Sequence, residues 1–189
     1  MKSRLPIKTN FGAQLLRSPA VKSIIPIGSW WNFEQWRNGR LIDKWENKNV
    51  NTNQGLNHVL NVAFFGATPI TTWYLGLFED DYTPLITNTY AVPGFTESSA
   101  YDEGARVAFV GASATGKVMT NTATKATFTI SATKTIYGAF MCGGGTNPSV
   151  ISNTAGGGTL FASSKFATAK DVVDGDILMV VCSITLADV

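Results

Sequence analysis

The rhythm of apolar and polar positions changes several times along the chain. Over residues 1–28 no rhythm holds, because scattered Leu, Ile and Val are interrupted by Pro6, Pro19 and Pro26. Proline fixes φ and removes a backbone donor, so this stretch is expected to be an extended N-terminal arm. Residues 29–48 read as a β-hairpin. An aromatic run with Trp30, Trp31, Phe33 and Trp36 leads into Asn38-Gly39, and Leu41, Ile42 and Trp45 return on the other side. Asn-Gly suits a two-residue turn because both positions need positive φ. An isolated hairpin cannot bury four Trp, so this one must dock, either on its own body or on another subunit.

Near residues 53–65 the spacing turns helical, with Leu56, Val59, Leu60 and Ala63 at i, i+3, i+4 and i+7. Thr52 or Asn53 can cap the start, and Gly66 can close the end in the left-handed conformation. From residue 68 the pattern becomes β. Strands are expected at 70–78, 106–110, 126–130, 135–141, 159–162 and 176–186, with a long loop at 83–105. In the first of these, Trp73, Leu75 and Leu77 share one face, and Tyr74 and Phe78 share the other. The last strand is apolar on both faces over its early part, which places it centrally in a sheet. The expected fold class is therefore mainly β. It consists of a β-sandwich or jelly-roll-like body over 49–189 with one short helix, preceded by the hairpin and the arm.

Composition agrees with this picture. Charged residues make up 15% of the 189-residue chain, against roughly 25% in an average protein. Thr, Ser, Asn and Gly, which favour strands and turns, take their place. The net charge is +2, too small for bulk nucleic-acid binding, but it is unevenly spread. Residues 1–50 hold nine Lys and Arg against three Asp and Glu, a balance of +6, and the remainder holds six against ten, a balance of −4. A basic first quarter on an acidic body points to an arm that touches an acidic surface, with another copy's body as one candidate. Cys142 and Cys182 make no disulfide framework and read as small buried apolar residues of a protein kept reduced. No run reaches the roughly 18 apolar residues of a membrane span, so a soluble chain made in the cytoplasm is expected.

Catalytic patterns are imitated and then broken. Gly111–Lys117 follows a phosphate-binding loop for seven positions, but Val118 stands where a Mg²⁺-binding hydroxyl is needed, and a strand pattern follows instead of a helix. His58 is the single histidine, which leaves no metal spacing and no Ser-His-Asp set around a nucleophile elbow. Glu79-Asp80-Asp81 and Asp102-Glu103 read as solvated turns. Asp171, Asp174 and Asp176 lack the bidentate Glu of a calcium loop. The triple-Gly runs at 143–145 and 156–158 precede no helix. No enzymatic activity, cofactor or metal is expected.

One block of residues resembles a known group. It comprises Asn49-Val50, Gly55-Leu56-Asn57 with Leu60-Asn61-Val62, Phe65-Gly66-Ala67-Thr68, and Ile70-Thr71-Thr72-Trp73-Tyr74 with Gly76-Leu77. Glu97 to Tyr101, Arg106, the strand pattern from Ala126 to Ile130 and Gly175-Asp176-Ile177-Leu178 follow in order. Together, over roughly residues 46–186, these resemble tailed-bacteriophage virion proteins of the capsid decoration, or cement, type. The resemblance implies a virion location on the capsid surface. It also implies the major capsid protein and other copies of the chain as partners, and no catalytic residues. Interfaces favour Trp, Tyr and Arg anchors. The expected contact residues are therefore Arg4, Lys8, Phe11 and Arg17 of the arm, and Trp30, Trp31, Trp36, Arg37, Arg40 and Trp45 of the hairpin. Two other readings are kept open. One is a tail, collar or fibre-attachment protein. The other is a carbohydrate-binding module that stacks sugars on Tyr82, Tyr90 and Tyr101.

Overall fold

The computed structural model of the chain describes residues 27–186. The expected arm, with Arg4, Lys8, Phe11 and Arg17, therefore lies outside the described residues. Its last two positions, Ile27 and Gly28, belong to the first strand. In chain order the elements are β1 (Ile27–Arg37), β2 (Arg40–Lys48), β3 (Val50–Asn51), α1 (Asn53–Phe64), β4 (Trp73–Phe78), β5 (Val107–Phe109), β6 (Val118–Thr120), β7 (Ala126–Thr129), β8 (Lys134–Gly143), β9 (Thr159–Val172) and β10 (Ile177–Leu186).

They form two antiparallel sheets that pack face to face, as the sequence suggests. The first runs β2-β1-β10-β6, with β7 pairing β10 below β6, and the second runs β3-β9-β8-β4-β5. The aromatic hairpin forms around Asn38 and Gly39, both at positive φ. It is not a separate unit docked on the body, because β1 pairs with β10 from Ile27↔Leu186 to Trp36↔Ile177. The strand expected over 159–162 runs on to Val172. β8 and β9 hold their long pairing through register shifts after Ile136 and after Met141.

Alternation decides what each strand buries. Trp31 and Phe33 of β1, Phe128 of β7, and Leu178, Val180 and Cys182 of β10 point at the second sheet. Leu75, Leu77, Ala139, Met141, Phe161 and Phe166 meet them from the other side. Phe33 stacks on Trp45 at 5.4 Å and meets Phe166 edge-on at 4.6 Å. The second sheet is apolar on its outer face too. Phe78, Phe140, Cys142 and Leu160 lie there under Tyr90 and Phe95 of the long loop.

The helix start is built as expected, but its apolar stripe does not set its buried face. Thr52 accepts from the Gly55 N–H at 3.0 Å and donates to the Leu160 carbonyl, which ties the N-terminus to β9. Gly55 is the helical residue that is fully buried. Ala63 and Leu60 face out, and the chain leaves through Gly66 at φ 74°.

Polar ties fix the first sheet at its turn. Arg37 donates to both carboxylate oxygens of the fully buried Asp176, at 2.6 and 2.7 Å, and Gln35 donates to Asp176 at 2.8 Å. Lys125 holds Glu34, and Lys170 holds Asp43.

A Cβ at Gly55 lies 2.6 Å from the Phe161 carbonyl oxygen and 2.7 Å from its Cα, and neither backbone atom can rotate away. Gly55→Ala is therefore expected to lower stability by about 1–3 kcal/mol, read by urea denaturation, despite alanine's higher helix propensity. Acid should weaken the first sheet. The bond from Arg37 lowers the Asp176 pKa against the opposing effect of burial, and Lys125 and Lys170 do the same for Glu34 and Asp43. A lowered folded pKa stabilises above the unfolded value of about 4 and is lost as pH falls through the folded value. Stability measured against pH should be level above about pH 5 and fall below about pH 4. Asp176→Asn should be less stable at neutral pH and show a shallower acid limb.

Candidate functional site

The groups singled out for chemistry are spread through the molecule, and most of them are occupied by the fold, while Asp102 and Asp174 lie exposed. Glu79 accepts from Ser98 at 2.7 Å and from Lys134 at 3.0 Å, and Asp81 pairs with Lys165 at 2.5 Å. Asp80 caps the Thr96 N–H, and the Glu103 carboxylate accepts from the Thr129 N–H. His58 meets the Trp73 ring edge-on at 5.6 Å. The phosphate-loop imitation ends in a tight turn at Gly116 and Lys117, both at positive φ, and leads into β6. Among the described residues, no group of three or more His, Cys, Asp or Glu is arranged to hold a metal ion.

The most elaborate polar cluster lies under the long loop. Arg106 donates to both oxygens of Glu97 at 2.8 and 2.7 Å, to the Tyr90 hydroxyl at 3.1 Å, and to the carbonyls of Pro148 and Asn153. Its guanidinium also reaches the Cys142 Sγ at 3.3 Å and lies over the Phe140 ring. Burial opposes the charge on Arg106, but its bonds to Glu97 and Tyr90, together with the nearby Glu97 charge and Cys142 thiol, outweigh burial and raise the pKa. Burial also pushes the Cys142 thiol up to about 12. A small cavity of about 190 Å³ borders this cluster. Each nitrogen of Arg106 already has a partner within the chain, so the cluster is a clamp and not an anion-binding site.

This clamp overturns the sugar-stacking arrangement. Tyr90 and Tyr101 are buried, and Tyr82 packs on Phe95 and bonds Asn88. The loop folds back to cover the second sheet, so its aromatic rings point inward.

The hairpin candidates divide by strand alternation. Trp31 is fully buried in the sandwich core, and its assignment to a contact surface is corrected. Trp45 faces the same way, half-buried against Phe33 and Phe166 with Lys170 over its ring. Arg37 is committed to Asp176. Trp30 is 51% exposed, and Trp36 is half-buried with its indole N–H on Glu34. These two sit on the outer face of the first sheet, opposite Ser183 and Ile177 of β10, beside half-buried Met179 and Val181. Arg40 is exposed at the hairpin tip. No described segment covers that outer face.

A second apolar surface escaped the sequence reading. Phe64 and Phe65, at the end of α1, are 86% and 85% exposed, and Leu60 one turn earlier is 52% exposed. They lie partly off the i, i+3, i+4 stripe, and the only sequence signal was two adjacent Phe just before the closing glycine. At the other end of the helix the Asn53 N–H donates to the carbonyl of Ile86, whose neighbour Leu85 is also exposed. Isolated exposed apolar residues are ordinary, but Leu60 with two nearly bare Phe forms an exposed apolar patch.

The clamp should be strongly cooperative. Removing one member of a buried ion pair leaves the other charge stranded, so Glu97→Ala or Arg106→Ala should each cost about 3–5 kcal/mol. The double variant is expected to cost far less than the two losses added, in a double-mutant cycle followed by urea unfolding. Additive losses would show that the pair is not coupled.

No protein-family model and no curated protein sequence matches the chain.

Proposed function

We propose that this chain is a non-enzymatic structural component of a bacteriophage particle, a head decoration or cement protein that binds the capsid. The observation that carries the reading is the pair of unpartnered apolar surfaces. One is the outer face of the first sheet around Trp30 and Trp36, and the other is the bare end of α1 at Leu60, Phe64 and Phe65. A protein with two such surfaces on different elements can bridge neighbours, as a cement between shell subunits must. The dispersal of its acids, most of them held in structural bonds, and the edge-on packing of His58 on Trp73 fit a role in binding rather than turnover. The block from Gly55 to Leu77, by which the sequence resembles phage virion proteins, contains the whole α1 end surface. The partners proposed are the major capsid protein and further copies of the chain.

The test is binding of purified protein to expanded capsids that lack it, read by sedimentation. Hot-spot aromatics contribute about 2 kcal/mol or more each. Phe64→Ser with Phe65→Ser should therefore weaken binding by more than about tenfold. Because both residues are solvated, the melting temperature should hardly change. Wild-type protein that ignores capsids but incorporates at a copy number set by the tail's rotational symmetry would favour the tail or collar reading instead.

A further inference from the structure

The first sheet ends at β2, and among the described residues no strand pairs with the other side of it. This edge strand is nine residues long and contains neither Pro nor Gly. Arg40, Ile42, Lys44, Glu46 and Lys48 are all exposed along it. A long open edge presents a row of backbone donors and acceptors on which another strand can form.

The ladder fixes which backbone groups of β2 face the open side. The Asn49 N–H donates to the Ser29 carbonyl at 3.5 Å. Hydrogen-bonded positions alternate in an antiparallel pair. Asn47, opposite Trp31, and Trp45, opposite Phe33, therefore also turn their backbone groups to β1. Lys44, Glu46 and Lys48 turn theirs outward. Lys44 bears this out, because its N–H donates to the adjacent Asp43 carboxylate at 2.8 Å instead of to β1. The Lys44 and Glu46 side chains stand opposite Glu34 and Asn32, on the outer face that carries Trp30 and Trp36. Among the described residues neither side chain enters a salt bridge or a hydrogen bond.

We propose that β2 pairs antiparallel with β2 of a second copy, about a two-fold axis at Trp45. In this register Lys44 faces Glu46 of the second copy, Glu46 faces its Lys44, and Ile42 faces its Lys48. Both charged pairs fall on residues whose backbone groups point outward, so ion pairs and ladder bonds form at the same positions. The smallest shift that keeps those bonds is two residues. In one direction it sets Lys44 against Lys44, and in the other Glu46 against Glu46. The order of charges therefore selects one register. Lysine on an edge ordinarily repels other strands, and a second copy brings the acid that offsets it. Asp43 yields the Lys44 N–H to the incoming Glu46 carbonyl and keeps its pair with Lys170. The axis stands perpendicular to the sheet, so Trp30 and Trp36 of both copies come to lie on one continuous face. The dimer is a property of the chain in solution and does not rest on the capsid reading.

Sedimentation equilibrium of the full chain, without capsids, tests the pairing. Wild-type protein should pass from monomer to dimer as its concentration rises. Lys44→Glu leaves two acids facing each other at each pair, and Glu46→Lys leaves two bases. Each change should weaken self-association by more than about tenfold, because two attractive cross-strand pairs become repulsive. Both side chains are exposed, so the melting temperature should hardly change. An equal mixture of the two variants should associate as tightly as wild type, since every acid of one copy then meets a base of the other. A chain carrying both changes should do the same. Wild-type protein that stays monomeric overturns the proposal. Single variants that associate as wild type does, or a mixture that stays apart, overturn it too.

Discussion

The second sheet is apolar on both faces, and the protein must cover the outer one with chain that has almost no regular structure. That constraint shapes half of the molecule. A segment without strand or helix leaves its backbone polar groups in need of partners and its ends in need of fixing. The Glu97–Arg106 pair meets both needs. Glu97 belongs to the covering loop, and its carboxylate also accepts from the Ser152 N–H at 2.7 Å. Arg106 reaches the carbonyls of Pro148 and Asn153 in the loop between β8 and β9. One buried charge pair thus staples two loops over Phe140 and Cys142. The triple-Gly runs serve the same assembly, since the Thr146 N–H bonds the Gly156 carbonyl where the two runs meet.

The two sheets are therefore unequal. One is sealed on both faces, and the other keeps an open outer face with Trp30 and Trp36 among half-exposed aliphatic residues. The sealed side supplies rigidity, because its loops are tied by charge-assisted bonds. The open side and the bare helix end leave apolar side chains in solvent, and these are the surfaces on which the proposed capsid contacts rest. Function, on this reading, comes from what the fold leaves uncovered and not from a cleft.

Local signals in the sequence were read correctly where one element could be judged alone. Asn38-Gly39 gave the turn, Thr52 and Gly66 bracketed the helix, and alternation marked β4 and β10. Long-range facts were not legible. Trp30 and Trp31 are adjacent aromatics, and only pairing with β10 decides which of them is core. The strand expected over 159–162 stops before Ser163, Ser164 and Lys165, which carry no apolar signal, although both serines are buried in the sheet. Register shifts in β8 and β9 also blur the period of two. Glu97 and Arg106 were noted as parts of a block, but no spacing rule links a loop acid to an arginine nine residues on. The apolar stripe of α1 misled because the helix approaches β9 through Gly55, a residue with no side chain to register as hydrophobic.

The pairing of β1 with β10 also sets an order of events during synthesis. Trp31 faces Cys182, so the first of the described strands finds its main neighbour in the last of them. Until the ribosome releases the C-terminal residues, the hairpin carries its aromatic inner face with no sheet to join. The second sheet can form earlier, since β4, β8 and β9 precede β10 in the chain. The final strand then closes the barrel of contacts in one late step, with the loop-closure cost of almost the whole chain. A chain that lacks β10 lacks the centre of its first sheet, because β1, β6 and β7 all pair with that strand.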